Sequence, residues 1–236
     1  MIIMAFDSTA KSASVAVLDG RRVLAEYNID NGLTQSELLL PMAEDILRSL
    51  KLSFDDVGLY AASVGPGSFT GVRIGVSLVK GLAFGRGVPC VGVSTVEALA
   101  ENLTGLEGTV VPVMDARRDQ IYTAIFASSA EGLTRLTDDM AISHSELSEM
   151  LSDKAQPIYL VGDGYSVTKE ALDRLGIRTA ATPRLLRLEN AASVGALAYR
   201  KYLSGEAMSD TEIAPAYLRM PQAERERLER EAAANK

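Results

Sequence analysis

A glycine-rich segment at residues 65–75 has the clearest capacity for chemistry in this chain. It reads Gly-Pro-Gly-Ser-Phe-Thr-Gly-Val-Arg-Ile-Gly and leads into an apolar run. A glycine loop at a helix N-terminus presents backbone N–H groups and the positive end of the helix dipole to an anion. The candidate phosphate-binding residues of this segment are Gly65, Gly67, Ser68, Thr70 and Gly71. The spacing differs from a Walker A loop and from G-x-G-x-x-G, so a tight turn with close helix packing is the alternative interpretation.

Two aspartates each follow a short apolar run and are predicted to end a buried strand. In nucleotide sites such carboxylates hold hydrated Mg²⁺. Asp7 is followed by Ser8 and Thr9, which suit either a degenerate nucleotide site or a turn held by side-chain hydrogen bonds. Asp115 is followed by arginines at positions 117–118, and we expect a local ion pair there. The arginines also suit contact with an acidic partner or a phosphate.

The scarcity of histidine and cysteine argues against several classes of enzyme. The 236 residues include one histidine, His144, and one cysteine, Cys90. A zinc site needs three or four Cys, His or acidic ligands, and a Ser-His-Asp triad would have to use His144. His144 lies at a predicted helix start, so we expect it to be a neighbour of the helix cap. Cys90 lies in an apolar run, so we expect it to be a small buried hydrophobic residue. We therefore predict no catalytic residue and no metal site.

The charge and hydropathy of the chain limit the partners that it binds alone. The net charge is −7 at pH 7, whereas RNA binding depends mainly on neutralisation of phosphates by Lys and Arg. No run approaches the ~18 apolar residues of a membrane helix. Residues 1–7 lack the basic segment of a signal peptide. We expect a cytoplasmic protein with no membrane contact, and a chain this acidic is a poor RNA binder on its own.

Two rounds of the same pattern of elements run through the chain. Aligning Asp7 with Asp115 also matches the strands that follow, at 14–17 and 122–125. Such internal repetition predicts a duplicated α/β fold with mixed sheets, flanking helices and a cleft between the copies. This plan resembles the actin, Hsp70 and sugar kinase superfamily, which is ribonuclease-H-like. The predicted boundaries are 1–104 for the first subdomain, 105–190 for the second, 191–220 for a C-terminal helix and strap that packs back toward the first, and 221–236 for a charged, disordered tail.

Two helices of the first copy have distinctive patterns. Thr34 and Glu37 form a capping box ahead of apolar residues at helical spacing, and Pro41 is expected to kink this helix or shift its start. A second helix, predicted from about residue 72 to 84, is apolar on nearly every side and contains Gly75 and Gly81. A glycine inside a helix costs roughly 1 kcal/mol relative to alanine. Close packing against another helix or a partner is the expected compensation.

Four motifs together resemble the TsaB (YeaZ) family, formerly described as glycoprotease-like. They are Asp-Ser-Thr at 7–9, the glycine segment at 65–75, Met-Asp-Ala-Arg-Arg at 114–118 with Ile-Tyr at 121–122, and Pro-Ala-Tyr-Leu-Arg at 215–219. The resemblance extends from residue 1 to about residue 220. It implies an actin-like fold of two subdomains and a part in forming threonylcarbamoyladenosine on tRNA, at the adenosine beside the anticodon.

The resemblance also implies that the chain is a non-catalytic partner of TsaD, the catalytic paralogue, together with the ATPase TsaE. ATP or ADP with Mg²⁺ would then act at the level of the complex, with no cofactor required by this chain. TsaD-type proteins hold metal with two histidines on the first helix, where this chain has Gln35 and no histidine. The implied interface, shared by homodimers and heterodimers, involves the helices at about 34–50 and 70–85. Its expected residues are Gln35, Leu38, Leu39, Met42, Ile46, Val72, Arg73, Gly75, Val76 and Val79.

Two enzymatic alternatives stay open at this point. A stand-alone actin-like ATPase or kinase would need intact phosphate loops in both halves, but the second glycine loop is only Gly-Asp-Gly at 162–164. A peptidase would have to work with one histidine and without H-E-x-x-H. If the interface is assigned correctly, Gly75→Leu or Leu39→Asp should weaken partner binding and leave the fold largely intact.

Overall fold

The first half of the chain builds a five-stranded sheet around its first strand. The computed structural model describes residues 1–117 and 119–219. The strands are β1 (Ile2–Asp7), β2 (Ala13–Asp19), β3 (Arg22–Ile29), β4 (Val57–Gly65) and β5 (Cys90–Ser94), in the order β3-β2-β1-β4-β5. β1 pairs antiparallel with β2 and parallel with β4. The helices of this half are α1 (Gln35–Leu50), α2 (Phe69–Ala83) and α3 (Thr95–Glu101).

The second half repeats this plan in a six-stranded sheet. Its strands are β6 (Gly108–Asp115), β7 (Gln120–Thr123), β8 (Phe126–Ser129), β9 (Gly132–Arg135), β10 (Met140–Ser143) and β11 (Ile158–Val161), with helices α4 (His144–Leu151) and α5 (Tyr165–Arg174). β6 pairs antiparallel with β7 and β8 and parallel with β11. β7 and β8 follow one another along β6 in one continuous register. The break between them falls opposite Pro112, which has no N–H to donate.

The two halves therefore have equivalent central strands. β1 and β6 each have an antiparallel neighbour on one side and a parallel neighbour on the other, and both end in the aspartates that were aligned from the sequence, Asp7 and Asp115. The predicted duplicated α/β fold is confirmed. The boundary predicted at 104/105 falls in the segment between α3 and β6 and stays a prediction, and the tail predicted at 221–236 lies outside the described residues.

β1 is buried on both faces, which explains its uninterrupted apolar sequence. Met4 and Phe6 pack with residues of α1 and α2 on one face. Ile3 and Ala5 pack on the other face with the C-terminal helix α6 (Ala191–Leu203). This division follows from the two-residue period of a strand. The chain thus returns from the second half to cover the first half.

The starts of α1 and α2 are set by capping residues that can be read in the sequence. The capping box of α1 is present, with the Thr34 N–H donating to the Glu37 carboxylate at 3.1 Å. Pro41 lies inside the continuous α1, so it does not delay the start of the helix. α2 begins at Phe69, about one turn earlier than predicted, because Ser68 caps it by accepting a hydrogen bond from the Gly71 N–H.

A C-terminal strap, residues 205–219, runs back over α2 toward the second half. Its Met208 N–H and C=O pair with the backbone of Cys90, and its Ala216 N–H donates to Val64 O at 2.7 Å. At its end Arg219 donates to the Ala116 carbonyl at 2.9 Å. The strap therefore connects the two halves. In residues 1–117 and 119–219 no helix has the length and apolar character to cross a membrane.

Candidate functional site

A cleft of about 550 Å³ lies between the two halves, where β1 and β6 end. It is lined by Thr9, Ala10, Lys11, Gln35, Gly67, Ser68, Phe69, Thr70, Met114, Asp115, Ala116, Arg117, Tyr122, Asp163 and Arg219. The glycine segment at 65–75 and the aspartate turn at 7–9 thus meet at one place, as the duplicated plan predicts. Clefts between domains are common ligand sites.

Asp7 is sealed beneath this cleft, which favours a turn held by side-chain hydrogen bonds over a nucleotide site, the other interpretation of this residue. Its carboxylate accepts hydrogen bonds from the Thr9 N–H at 2.9 Å, the Thr9 hydroxyl at 2.7 Å and the Ser63 hydroxyl at 2.5 Å. The residue is 1% exposed, and Ser8 is 2% exposed. Burial raises the pKa of Asp7, while these hydrogen bonds act in the opposite direction. Asp7 therefore organises the turn after β1, which is the alternative interpretation.

The glycines of the 65–75 segment are explained by close packing. A Cβ on Gly71 would overlap the Ser8 carbonyl oxygen, and a Cβ on Gly65 would lie 2.5 Å from Ala216 O. Gly75 touches Ser8 as well, because a Cβ there would lie 2.7 Å from Ser8 Oγ. Ser68 and Thr70 are exposed and line the cleft. Two accessible side chains and the N-terminus of α2 are thus available to bind a phosphate, and this role stays a prediction.

Charged side chains surround the rest of the cleft. Lys11, Arg117 and Arg219 contribute positive charge, and Asp115 and Asp163 contribute negative charge. The Asp115 carboxylate accepts a hydrogen bond from the Arg117 backbone N–H at 2.7 Å, and the ion pair expected at Asp115 stays a prediction. Arg117 adopts the left-handed conformation with φ of 60°. Arg118 lies outside the described residues.

Glu189 is a buried acid in a small cavity next to this cleft, and the sequence analysis missed it. It is 4% exposed, and neither carboxylate oxygen has a hydrogen-bond partner. Burial and then the nearby charges of Asp7 and Asp163 raise its pKa to about 8. Glu189 directly precedes Asn190, the N-cap of α6. The sequence gives no signal of burial here, because Glu189 has the polar neighbours Arg187 and Asn190, and only the fold shows that it lies beside the aspartate turn.

Comparisons with known proteins agree with the motifs. A sequence model described as "TsaD: tRNA N6-adenosine threonylcarbamoyltransferase" matches residues 34–227. The chain is 30% identical over 225 residues to the tRNA threonylcarbamoyladenosine biosynthesis protein TsaB of Bacillus subtilis, covering 95% of this chain and 96% of the relative. It is 29% identical over 224 residues to the Escherichia coli protein of the same name, covering 93% and 95%. The chain belongs to the TsaB (YeaZ) family.

Structural comparison supports membership of the TsaB family. YeaZ from Pseudomonas aeruginosa superposes with a TM-score of 0.79 and 26% sequence identity, over 92% of this chain and 99% of that chain. The family and the actin-like fold class expected from the sequence are confirmed.

The partner interface expected for a TsaB protein needs a correction in its residues. Six of the expected side chains are at most 4% exposed because they fill the core of this chain; they are Leu39, Met42, Ile46, Val72, Val76 and Val79. The space beside the Gly75 α-carbon is likewise filled, by the Ser8 side chain. Gly75→Leu and Leu39→Asp should therefore disrupt the fold, contrary to the expectation from the sequence. The apolar pattern of α2 alone did not show which side faces inward.

Other side chains of the same two helices are accessible. A groove of about 460 Å³ between α1 and α2 is lined by Ser36, Leu39, Leu40, Thr70, Arg73, Ile74, Ser77 and Leu78. Leu38 packs partly against the core. Gln35 points away from the groove into the cleft region and donates to the Ala10 carbonyl at 2.9 Å. Arg73 donates to the Tyr217 hydroxyl of the strap at 2.7 Å.

The histidine and the cysteine occupy structural positions. His144 is the first residue of α4, next to the N-cap Ser143, and its Nε2 lies 3.2 Å from Thr168 Oγ1. Cys90 is buried, and burial raises its pKa to about 11. In residues 1–117 and 119–219 no group of three or more His, Cys, Asp and Glu side chains is arranged to hold a metal ion.

Proposed function

We propose that this chain is a non-catalytic subunit of the machinery that forms threonylcarbamoyladenosine on tRNA, where it binds and activates a TsaD-type transferase. Family membership supports the pathway, since the curated relatives are named as threonylcarbamoyladenosine biosynthesis proteins. The observation that carries the partner role is the apolar groove between α1 and α2, with Leu40, Ile74 and Leu78 at its surface.

Gly81 supports contact on this face of α2. It lies inside the helix and is exposed, and a Cβ built on it would have nothing within 4 Å. The helix therefore has about 1 kcal/mol less intrinsic stability than with alanine, for no benefit within this chain. At Gly75, by contrast, the close approach of the Ser8 side chain explains the glycine. A partner helix that approaches α2 closely would account for Gly81.

The positions of three residues, Asp7, His144 and Cys90, favour a supporting role over catalysis by this chain. The Asp7 carboxylate that would hold Mg²⁺ in an actin-like ATPase accepts protein hydrogen bonds and is 1% exposed. His144 and Cys90 are held in structural contacts away from the cleft lining. In this proposal ATP or ADP with Mg²⁺ acts at the level of the complex with the TsaE-type ATPase, and the acidic chain meets tRNA only through that complex.

We also infer that the free protein forms a homodimer through the same groove. Leu40 is 39% exposed and lies beside Ile74 and Leu78 on the groove. An apolar patch with a polar rim is typical of protein interfaces. A second copy would occupy the face that the transferase takes in the complex, so the two associations should compete.

The proposed function is tested by reconstitution. Threonylcarbamoyladenosine formation is measured on tRNA with the TsaD-type and TsaE-type proteins and a supply of threonylcarbamoyl-adenylate, with and without this chain. We expect product only when this chain and the transferase are both present. Product from this chain without the transferase, or full activity without this chain, would contradict the proposal. ATP hydrolysis by the isolated chain would favour the ATPase alternative.

A further inference from the structure

A small acidic cavity adjoins the interdomain cleft on the side of α6. Its volume is about 180 Å³, and it is lined by Ala10, Lys11, Ser12, Asp30, Asp115, Asp163, Leu188 and Glu189. We refer to this set as the acidic cavity. Four of these residues are acidic and one is basic, so the lining has an excess of negative charge. The glycine segment at 65–75 does not line it.

Glu189 is the residue of the acidic cavity that its own chain leaves unsatisfied. Both of its carboxylate oxygens are buried and lack a hydrogen-bond partner, whereas the Asp115 carboxylate accepts the Arg117 N–H and the Asp163 carboxylate accepts the Asp115 N–H. A buried acceptor without a partner destabilises the folded state, and more strongly when the group is charged. A ligand that donates hydrogen bonds and carries positive charge would remove this cost.

We propose that the acidic cavity binds an organic cation of the guanidinium or ammonium class, with Glu189 at its base and Asp30, Asp115 and Asp163 around it. This inference does not depend on the proposed function. The described side chains include no group of three or more acidic, His or Cys residues arranged to hold a metal ion. A guanidinium presents five N–H donors over a wider span, so it can reach carboxylates that are too far apart to share one ion.

Electrostatics at the acidic cavity agree with a cationic ligand. The buried Glu189 faces the charges of Asp7 and Asp163, and its pKa is raised to about 8. Lys11 is exposed and is the one basic residue of the lining. A bound cation would stabilise the ionised form of Glu189. The affinity of the acidic cavity for the cation should therefore rise with pH up to the pKa of this acid. Replacing Lys11 by alanine should strengthen binding, because it removes a like charge.

The test uses methylguanidinium chloride and the full chain at about pH 8, which is near the pKa of Glu189. Amide chemical shifts are followed by NMR at matched ionic strength. We expect saturable shifts at residues 10–12, 115, 163 and 188–189, with a Kd on the order of millimolar as suits so small a ligand. Glu189→Gln should raise the Kd on the order of tenfold, because the charge-assisted hydrogen bonds are lost.

Controls separate this inference from general effects. Glu149→Gln, at an exposed acid of α4, should leave the Kd unchanged. Asp30→Asn changes the cavity at an exposed position, where we expect the fold to stay intact. It should weaken binding a few-fold, by about the amount of one partly screened charge. Absence of saturable shifts, or equal Kd values for the wild type, Glu189→Gln and Asp30→Asn, would overturn the proposal. Saturation by MgCl₂ at lower concentration than by methylguanidinium would also overturn it in favour of a metal site.

Discussion

Ser8 and Gly71 join the turn after β1 to the first turn of α2. The Ser8 hydroxyl donates to the Gly71 carbonyl at 2.8 Å, and the Gly71 α-carbon packs so closely on Ser8 that no side chain fits between them. The two residues are 63 positions apart in the chain. This contact holds the first turn of α2 against the turn after β1, at the edge of the cleft.

We predict that Gly71→Ala destabilises the protein by about 3 kcal/mol or more, because the added methyl group would overlap the Ser8 backbone rather than a mobile side chain. The free energy of unfolding is measured by urea denaturation. Gly81→Ala is the matched control on the same helix, where a Cβ meets nothing. It should stabilise the free protein by roughly 0.5–1 kcal/mol. Equal effects of the two substitutions would contradict the packing described for Gly71.

The partner interface is tested at Leu40, which lines the groove between α1 and α2 and is 39% exposed. Leu40→Asp should weaken association with the TsaD-type protein by about thirtyfold or more, as expected when a central apolar contact is replaced by a buried charge. Binding is measured by isothermal titration calorimetry. Val167→Asp, at a 65% exposed position of α5, is the matched control and should leave the Kd unchanged. Unaltered association with Leu40→Asp would place the partner elsewhere.

The sealed carboxylate of Asp7 predicts a structural effect without a catalytic one. Asp7→Asn should lower the free energy of unfolding by roughly 1–3 kcal/mol, because a buried hydrogen-bond network loses an acceptor. Asp138→Asn, at an exposed position, should change it little. Product formation in the reconstituted reaction, at a temperature where both variants are folded, should match the wild type. A loss of product with an intact fold would return Asp7 to a role in catalysis.

The buried Glu189 predicts that stability falls as pH rises. Its pKa is about 8 in the folded protein against 4.5 for the unperturbed side chain, so the folded state holds the proton more tightly. The stabilising contribution is complete below the lower value and is lost as pH rises through the upper one. This group contributes a slope of about −1.4 kcal/mol per pH unit between the two values. Asp7, whose pKa is also raised, contributes in the same direction.

Urea unfolding of the wild type and Glu189→Gln at about pH 6 and about pH 8, the range below the pKa of Glu189, checks this prediction. Glutamine cannot ionise, so the variant should lose less stability between the two pH values. Parallel pH dependence of the two proteins would show that Glu189 ionises without cost in the folded state.

Sequence patterns predicted the helices and strands well where the residues that determine them are close together in the chain. The capping box at Thr34 and Glu37 placed the start of α1, because both partners lie within one turn. The alignment of Asp7 with Asp115 predicted the duplicated sheets, since each strand and turn repeats in order. The argument against a zinc site or a Ser-His-Asp triad needed only the composition, which includes one histidine and one cysteine. The four motifs also identified the family that the comparisons confirmed.

Only the tertiary structure decided which of these residues are accessible. Asp7 is sealed by Ser63, 56 positions away. Glu189 is buried just before α6, the helix that returns to cover β1. α2 is apolar on nearly every side, so its periodicity could not distinguish the core residue Val76 from the groove residue Ile74. Burial depends on contacts between segments far apart in the chain, such as the hydrogen bond from Ala191 N–H to Ser14 Oγ across 177 positions. A linear pattern records the period of an element, but it does not record which neighbour each face will meet.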